Sequence, residues 1–488
     1  MLTIEDVAFV LREHWPQIVL VLSVVASVAA AIHAAMTKQD VRSAIGWVSV
    51  VILSPLLGAT FYLFAGINRI RHARVSQQRE QAEQEREVFD GLVVSDLRPH
   101  CDSYVDALRR LGDQVNRNAL LKGNEITLLS GGDETYPAML QAISRAQSSI
   151  ALQSYIFDRD PMGLRIAQAL IEAESRGVQV RVLIDAVGAK YSHPPIVGEL
   201  ERGGIKVARF LPTAIGVRLV YANLRSHRKV LVVDGSEALA GGMNIRQGFA
   251  REFAGDALAH DTHFRLVGPV ARQLLNSFAH DWEFTTGERL EGPEWFPPAL
   301  IEPLPGDTPV RVVLSGPDRA FGCNEAMLLG ALSVARKNVR IQSPYFLPDI
   351  VLMGALVTAA RRGVKVDVVI PGHNNLKMVA AAMEAQLDQL IQGGVHVWRS
   401  SGAFDHSKLL TVDDQWSYVG SSNLDPRSLR LNFELDLEVY SRALALELSH
   451  RIDSVLSNSQ QVTLAELDGR PFWRRLRNRI IWLVSPYL

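Results

Sequence analysis

One unit of sequence is used twice in this 488-residue chain. Ile150-Ala151-Leu152-Gln153-Ser154-Tyr155 has a counterpart in Val339-Arg340-Ile341-Gln342-Ser343-Pro344. Arg176-Gly177-Val178-Gln179-Val180-Arg181-Val182 matches Arg362-Gly363-Val364-Lys365-Val366-Asp367-Val368, and Gly203-Gly204-Ile205-Lys206-Val207 matches Gly393-Gly394-Val395-His396-Val397. The pairs recur in the same order, so any fold must contain two equivalent units. Each unit reads as strand, amphipathic helix, strand, helix, strand. Its short β-branched runs and its Arg-Gly or Gly-Gly breaks suit crossover units on a mostly parallel sheet flanked by helices. Between the copies, Gly287 to Pro309 carries Pro293, Pro297, Pro298, Pro303, Pro305 and Pro309 and reads as a linker, because prolines interrupt helices and central strands.

Chemistry enters at a fourth matching segment. His227-Arg228-Lys229 is followed by Asp234 and Gly241-Gly242-Met243-Asn244, and His406-Ser407-Lys408 is followed at the same spacing by Asp413 and Gly420-Ser421-Ser422-Asn423. Two occurrences at equivalent places in a repeat make chance a poor explanation. On extended backbone, His and Lys two apart share a face, so an imidazole and an ammonium can converge on one phosphate. The imidazole can serve as nucleophile or proton carrier near neutral pH, while the ammonium and the Asn244 or Asn423 amide can hold phosphate oxygens. One unit supplies one His, whereas phosphoryl transfer needs a nucleophile and an acid. The site is therefore expected between the units, with His227 facing His406. Asp234 and Asp413 complete the motifs, but on a persistent strand they point away from the phosphate and suit bonding to backbone or to the other motif. Asp261 and Glu434, each on what reads as the next strand after its own unit's His, are candidates to orient the imidazoles; ordinary solvated strand-edge carboxylates are the alternative.

The amino-terminal end is of another kind. No Lys, Arg, Asp or Glu occurs from Trp15 to Thr37, a run long enough to span a bilayer, and a second uncharged run covers Ser43 to Ile67. Together they read as a transmembrane hairpin; a cleaved signal peptide is the alternative for the first run. Arg69, Arg71, Arg74, Arg79 and Arg86 follow the second run, against Lys38 and Arg42 in the turn, which puts both chain ends in the cytoplasm. His33 lies inside an apolar span and reads as a packing or interfacial residue. Ser76 to Asp90 reads as a solvated helical linker. At the other end, Arg470, Arg474, Arg475, Arg477 and Arg479 alternate with Phe472, Trp473, Leu476, Ile480, Ile481 and Trp482, which suits either an anionic-lipid contact or a helix closing the core. The expected division is 1–70 transmembrane hairpin, 71–119 juxtamembrane linker, 120–286 first half, 287–309 Pro-rich linker, 310–455 second half and 456–488 basic amphipathic tail. A net charge of -1 provides no global field for nucleic acid, and Cys101 and Cys323, far apart in sequence, offer no disulfide framework or thiolate zinc cluster.

At these motifs the chain resembles the phospholipase D superfamily. Gly420-Ser421-Ser422-Asn423-Leu424-Asp425-Pro426-Arg427-Ser428, running into Leu431-Asn432-Phe433-Glu434, and the hairpin with Asp40-Val41-Arg42-Ser43-Ala44-Ile45-Gly46-Trp47 are similar to the bacterial cardiolipin synthases. Gly241-Gly242 departs from the Gly-Ser of the second half. The resemblance implies two phospholipase D-like repeats facing each other across a shared site. It also implies a multi-pass protein of the bacterial inner membrane, and phosphatidyl transfer between two phosphatidylglycerol molecules without metal or other cofactor. His227 would be the nucleophile and His406 the acid and base. The same residues would serve a phospholipase D that hydrolyses lipid or transfers to other alcohols. A phosphodiester nuclease fits poorly with a spanning hairpin, and a non-catalytic membrane scaffold would need a broken motif.

Overall fold

In the computed structural model, which describes residues 14–38, 41–66, 89, 91–212, 224–298, 304–318 and 320–485, the repeated segments become equivalent strands of one sheet. The first lobe contributes β1 (Leu121–Ser130), β2 (Ser149–Ser154), β3 (Gln179–Asp185), β4 (Lys206–Phe210), β5 (Arg225–Ser226), β6 (Val230–Val233), β7 (Glu237–Gly241) and β8 (Thr262–Val267). The second contributes β9 (Thr308–Ser315), β10 (Asn338–Gln342), β11 (Lys365–Pro371), β12 (His396–Ser400), β13 (Leu409–Val412), β14 (Trp416–Gly420), β15 (Asn432–Tyr440) and β16 (Ser459–Gln461). Their order is β16-β12-β11-β10-β13-β14-β15-β9-β1-β8-β7-β6-β2-β3-β4, with β5 on β15 off that path. The antiparallel β1–β9 pair joins the lobes.

The sheet is mixed rather than mostly parallel. On the main path, parallel pairing is confined to β2-β3-β4 and β10-β11-β12, the three matched segments of each unit. The fourth segment folds instead as the hairpins β6–β7 and β13–β14, which are antiparallel by geometry, and β8 and β15 return beside them. Apolar faces of the parallel strands meet the crossover helices in both lobes. Leu152 and Val182 pack with Ile166 and Leu170 of the Pro161–Ser175 helix, and Ile341 and Val368 pack with Leu352 and Leu356 of the Ile350–Arg361 helix.

Both hairpins close on an aspartate. Asp234 and Gly235 in one, and Asp413 and Asp414 in the other, have positive φ of 50°, 62°, 54° and 56°. Ser236 N–H donates to Val233 O, and Gln415 N–H to Val412 O, closing two-residue turns of the kind whose twist suits a hairpin. Each first aspartate then caps the start of a neighbouring strand. Asp234 accepts from the amides of Gln147, Ser148 and Ser149 at 3.0, 2.7 and 2.9 Å, and Asp413 from those of Arg336, Lys337 and Asn338 at 2.8, 2.7 and 2.9 Å. The Tyr104 hydroxyl adds a further bond to Asp413 at 2.6 Å.

Two expected boundaries change. The 71–119 segment is folded from residue 91 on: Val94, Leu97, Cys101, Val105 and Leu108 are buried in the second lobe's core, and the Asp102 amide donates to Gln415 Oε1 at 2.6 Å. The part of the expected linker before residue 89, with its arginines, lies outside the described residues. The Pro-rich segment likewise packs at its start. Glu288 holds Arg181 at 2.8 Å and Trp295 is buried, while 299–303 lie outside the described residues.

Residues 1–73 form a unit of their own. Its Trp15–Thr37 helix is the one helix among the described residues long and apolar enough to cross a membrane. The second apolar run is broken at Ser54-Pro55 into helices Val41–Leu53 and Pro55–Phe61 and a π-turn Tyr62–Gly66, as a proline inside a helical run dictates. The runs pack together: Ser27 Oγ donates to Val51 O at 2.7 Å, and His33 Nδ1 meets the Tyr62 hydroxyl at 2.7 Å.

The aspartate turns generate a stability prediction. Asp413→Ala orphans three amides and the Tyr104 hydroxyl, and should cost about 2–4 kcal/mol of unfolding free energy, with Asp234→Ala slightly less. Thermal unfolding checks this. The folded fraction should keep kcat within about twofold of the parent, because neither carboxylate reaches the imidazoles.

Candidate active site

The two His-x-Lys segments are not on strands; each runs irregularly into β6 or β13. What fixes them is the other lobe. β5 pairs in parallel with the start of β15, matching Arg225 with Asn432 and Ser226 with Phe433, and a parallel bridge matches Asp405 with His260. The His227 amide donates to Phe433 O at 2.9 Å, and the His406 amide to His260 O at 2.7 Å. One step further along each register brings His227 beside Glu434 and His406 beside Asp261.

The side chains follow the register. His227 Nδ1 lies 2.9 Å from Glu434 Oε2, and His406 Nδ1 lies 2.8 Å from Asp261 Oδ2. Each imidazole is thus held by a carboxylate of the opposite lobe, not by its own unit's, which corrects the simpler pairing by sequence order. A carboxylate can only accept, so each Nδ1 carries the proton and each Nε2 keeps a lone pair. Glu434 also accepts from Ser421 Oγ at 2.5 Å and Asn432 Nδ2 at 3.1 Å; Asp261 accepts from the Thr262 amide at 2.7 Å. The Gly242/Ser421 difference acquires a reason here. A Cβ on Gly242 would stand 2.4 Å from Asp261 Oδ1, whereas Ser421 supplies a hydroxyl to the longer Glu434.

Burial governs protonation. It lowers His227 despite Glu434, and with Lys408 lowers His406 to about 4 despite Asp261. Burial also lowers Lys229 to about 7 and lowers Lys408. Burial acts to raise both carboxylates, but Lys408 and His406 hold Asp261 below its ordinary value, and His227 and Lys229 do the same to Glu434. With nothing bound, the imidazoles are neutral near pH 7 and the carboxylates charged.

His227, His406, Asn244 and Asn423 line one cavity of about 660 Å³. Lys229 Nζ bonds to His227 O, and Lys408 Nζ bonds to His406 O and lies 2.8 and 3.3 Å from Nδ1 and Nε2 of His406. Asn244 Oδ1 accepts from the Ile156 amide at 3.0 Å, while the buried Asn423 Oδ1 has no partner among the described residues. Asp234 and Asp413 do not join them; their carboxylates are spent on the strand-capping amides. Two groups escaped sequence reading. Tyr155 stands edge-on to His227 with ring centres 5.2 Å apart, and Tyr345 edge-on to His406 at 5.9 Å. Tyr155 ends a matched segment, but Pro344 replaces it in the copy, so the repeat gave no signal. Beneath His227, Asp281 accepts from Arg228 Nη1 and Gln153 Nε2, both at 2.8 Å, and keeps the intervening Arg228 side chain turned into the lobe.

Paired His-x-Lys segments converging on one cavity, each imidazole braced by a carboxylate, define a protein of the phospholipase D type. Comparisons with known proteins agree. A family model described as "Cardiolipin synthase, PLD-like domain" matches residues 139–282 and 328–456, and one described as "Phospholipase_D-nuclease N-terminal" matches 25–66. Cardiolipin synthase of Alkalihalophilus pseudofirmus is 31% identical over 444 residues, covering 91% of this chain and 88% of that one. Cardiolipin synthase A of Pseudomonas aeruginosa is 32% identical over 468 residues, covering 94% and 93%. The fold is shared with the crystal structure of phosphatidylserine synthase from Haemophilus influenzae, with a TM-score of 0.61 at 17% identity over 79% of this chain and all of that one. The chain belongs to the cardiolipin synthase family of phospholipase D-like proteins.

Crossed bracing makes a specific prediction for histidine-selective NMR titration. Removing a carboxylate removes the charge that favours imidazolium, so Glu434→Gln should lower the His227 pKa by about one unit or more and leave His406 nearly unmoved. Asp261→Asn should do the converse. A shift of His227 on Asp261→Asn would return the pairing to one lobe.

Proposed function

We propose that this protein is a cardiolipin synthase that moves a phosphatidyl group from one phosphatidylglycerol to another through a phosphatidyl-histidine. The observation that carries the reading is the pair of carboxylate-braced imidazoles on one cavity of about 660 Å³ in a chain of the cardiolipin synthase family. His227 Nε2 attacks phosphorus, the P–O bond to the donor glycerol breaks, and the departing oxygen takes a proton from His406. His406 then removes a proton from the glycerol hydroxyl of a second phosphatidylglycerol. That oxygen attacks phosphorus, the P–N bond breaks, and cardiolipin leaves. The phosphodiester anion, seated against Lys229, Lys408, Asn244 and Asn423, adds negative charge beside both imidazoles and draws the required proton onto one of them. Glu434 and Asp261 keep each ring in the tautomer the exchange needs.

One observation favours the reverse assignment of the two histidines. Lys408 lies against the His406 ring, which suppresses its protonated form and suits a nucleophile. Trapping with labelled lipid separates the two: His227→Ala should abolish the covalent intermediate, while His406→Ala still accumulates some when the leaving group is activated. The opposite pattern reverses the roles.

The apolar runs at Trp15–Thr37 and 43–67 span the membrane as a hairpin in this reading, and the arginines after residue 67 keep residues 74–488 on the cytoplasmic face. The helix break at Ser54-Pro55 is compatible with a span, since neighbouring helices re-satisfy freed backbone groups. Hydrolysis is the competing outcome of the same intermediate when water replaces the second lipid.

Purified enzyme with labelled phosphatidylglycerol should yield cardiolipin and glycerol; phosphatidic acid and glycerol as the main products would make it a phospholipase instead. The pH profile follows from Lys229. Its charged form grips phosphate and is lost as pH rises through about 7 in the empty site, so kcat/KM should fall over that range. Bound phosphate holds the proton on, so kcat should persist to higher pH. A kcat/KM flat to pH 9 would remove Lys229 from this role.

A further inference from the structure

The Phe472–Leu483 helix is amphipathic but faces the wrong way for a helix that closes a core. At ~100° per residue, Phe472, Trp473, Leu476, Ile480 and Leu483 fall within an arc of about 100°, and this is the solvent side. Trp473 is 75% exposed, Leu483 70%, Phe472 62% and Ile480 56%. The inward side is largely polar. Arg474 meets Glu384 at 3.2 Å, the buried Asn478 donates to Glu384 at 2.8 Å, and Arg479 meets Asp388 at 2.7 Å, with Ile481 and Trp482 packed on the second lobe's core. Ion pairs thus hold the helix so that its apolar stripe is presented outward.

The helix that supplies Glu384 links this stripe to the cavity. It runs Lys377–Glu384, only ~12 Å at 1.5 Å per residue. The Phe472–Leu483 helix is fixed to its carboxyl end, while Val379 and the preceding Leu376 line the cavity from its other end. Leu376 and Met378 are themselves about half exposed. Basic groups border the stripe. Among the described residues Arg477 bonds only to Asn478 and faces no carboxylate, and the one carboxylate near Arg475 is the exposed Asp468 at 3.7 Å, whose backbone carbonyl also accepts from Arg475 Nη1 at 3.2 Å.

We propose that the outward face of Phe472–Leu483, with Leu376 and Met378, is a docking surface for the interface of an anionic bilayer, setting the cavity mouth at the depth of lipid headgroups. Aromatic and aliphatic side chains enter the headgroup–acyl boundary, and Arg475 and Arg477 meet lipid phosphates. A second copy is the weaker occupant. A two-fold contact would set arginine rims against each other, and one stripe of a 12-residue helix falls well short of the ~800 Å² per partner of a stable interface. The inference deepens the cardiolipin synthase reading and rests on it for the choice of a lipid surface.

The test uses the full chain in vesicles of phosphatidylglycerol and phosphatidylcholine in equal parts. Nitroxides are placed at Trp473→Cys or Ile480→Cys, with exposed Ser175→Cys as control; Cys101 and Cys323 are buried. Labels at 473 and 480 should be relaxed by oxygen and shielded from a water-soluble nickel chelate, while the label at 175 shows the reverse. Nickel access at 473 and 480, or spin–spin broadening between copies, overturns the proposal. In turnover, Trp473→Ser/Ile480→Ser should raise apparent KM in vesicles about fivefold, with kcat unchanged and full rate in mixed micelles. A loss of kcat in micelles would mean the stripe is structural and also overturns it. Depth is read without turnover, so a wild type that makes no cardiolipin sinks the activity reading alone.

Discussion

Everything at the site depends on two short hydrogen bonds that cross between lobes, His227 to Glu434 and His406 to Asp261. Each places a buried imidazole against a buried carboxylate, an arrangement that is costly unless both partners and their remaining valences are satisfied. Here they are: Ser421 and Asn432 complete Glu434, and Thr262 completes Asp261. Removing either partner would leave an unmatched buried group, so lobe docking and imidazole orientation are one requirement. The backbone enforces it before any side chain contributes, because the His segments are paired in parallel to the carboxylate-bearing segments of the opposite lobe.

That crossing explains which features could be read from the chain. The repeat, both His-x-Lys segments, the asparagines and the carboxylates were legible, since residue type and spacing alone restrict their chemistry. Partner choice was not. Nothing in the order His227…Asp261 and His406…Glu434 says that the lobes exchange carboxylates; that is a property of strand register across the seam. The sheet is mixed rather than mostly parallel for a related reason. The matched segments are its parallel core, while the Asp234-Gly235 and Asp413-Asp414 turns convert the motif segment into antiparallel hairpins. Those aspartates sit in a catalytic motif by sequence, yet their carboxylates cap strands. The segment after residue 91 read as a linker for want of a strong pattern, and became core because Val94, Leu97 and Leu108 find the second lobe's apolar face.

The lobes are equivalent in backbone but not in detail. Glu434 with Ser421 faces His227, whereas Asp261 beside Gly242 faces His406: a longer carboxylate with a hydroxyl balances a shorter one with room for it. Tyr155 and Tyr345 flank the imidazoles from positions that the repeat does not equate. A near-symmetric site with unequal surroundings suits a reaction in which one histidine bonds phosphorus and the other only moves protons.

A structure of the enzyme with orthovanadate tests the account most directly. Vanadate should be bonded to Nε2 of one imidazole, its opposite apical oxygen should hydrogen-bond Nε2 of the other, and Lys229, Lys408, Asn244 and Asn423 should hold the equatorial oxygens. Vanadate bound by the groups of a single lobe, with the other imidazole turned away, would contradict the claim that the two lobes build one phosphoryl-transfer site.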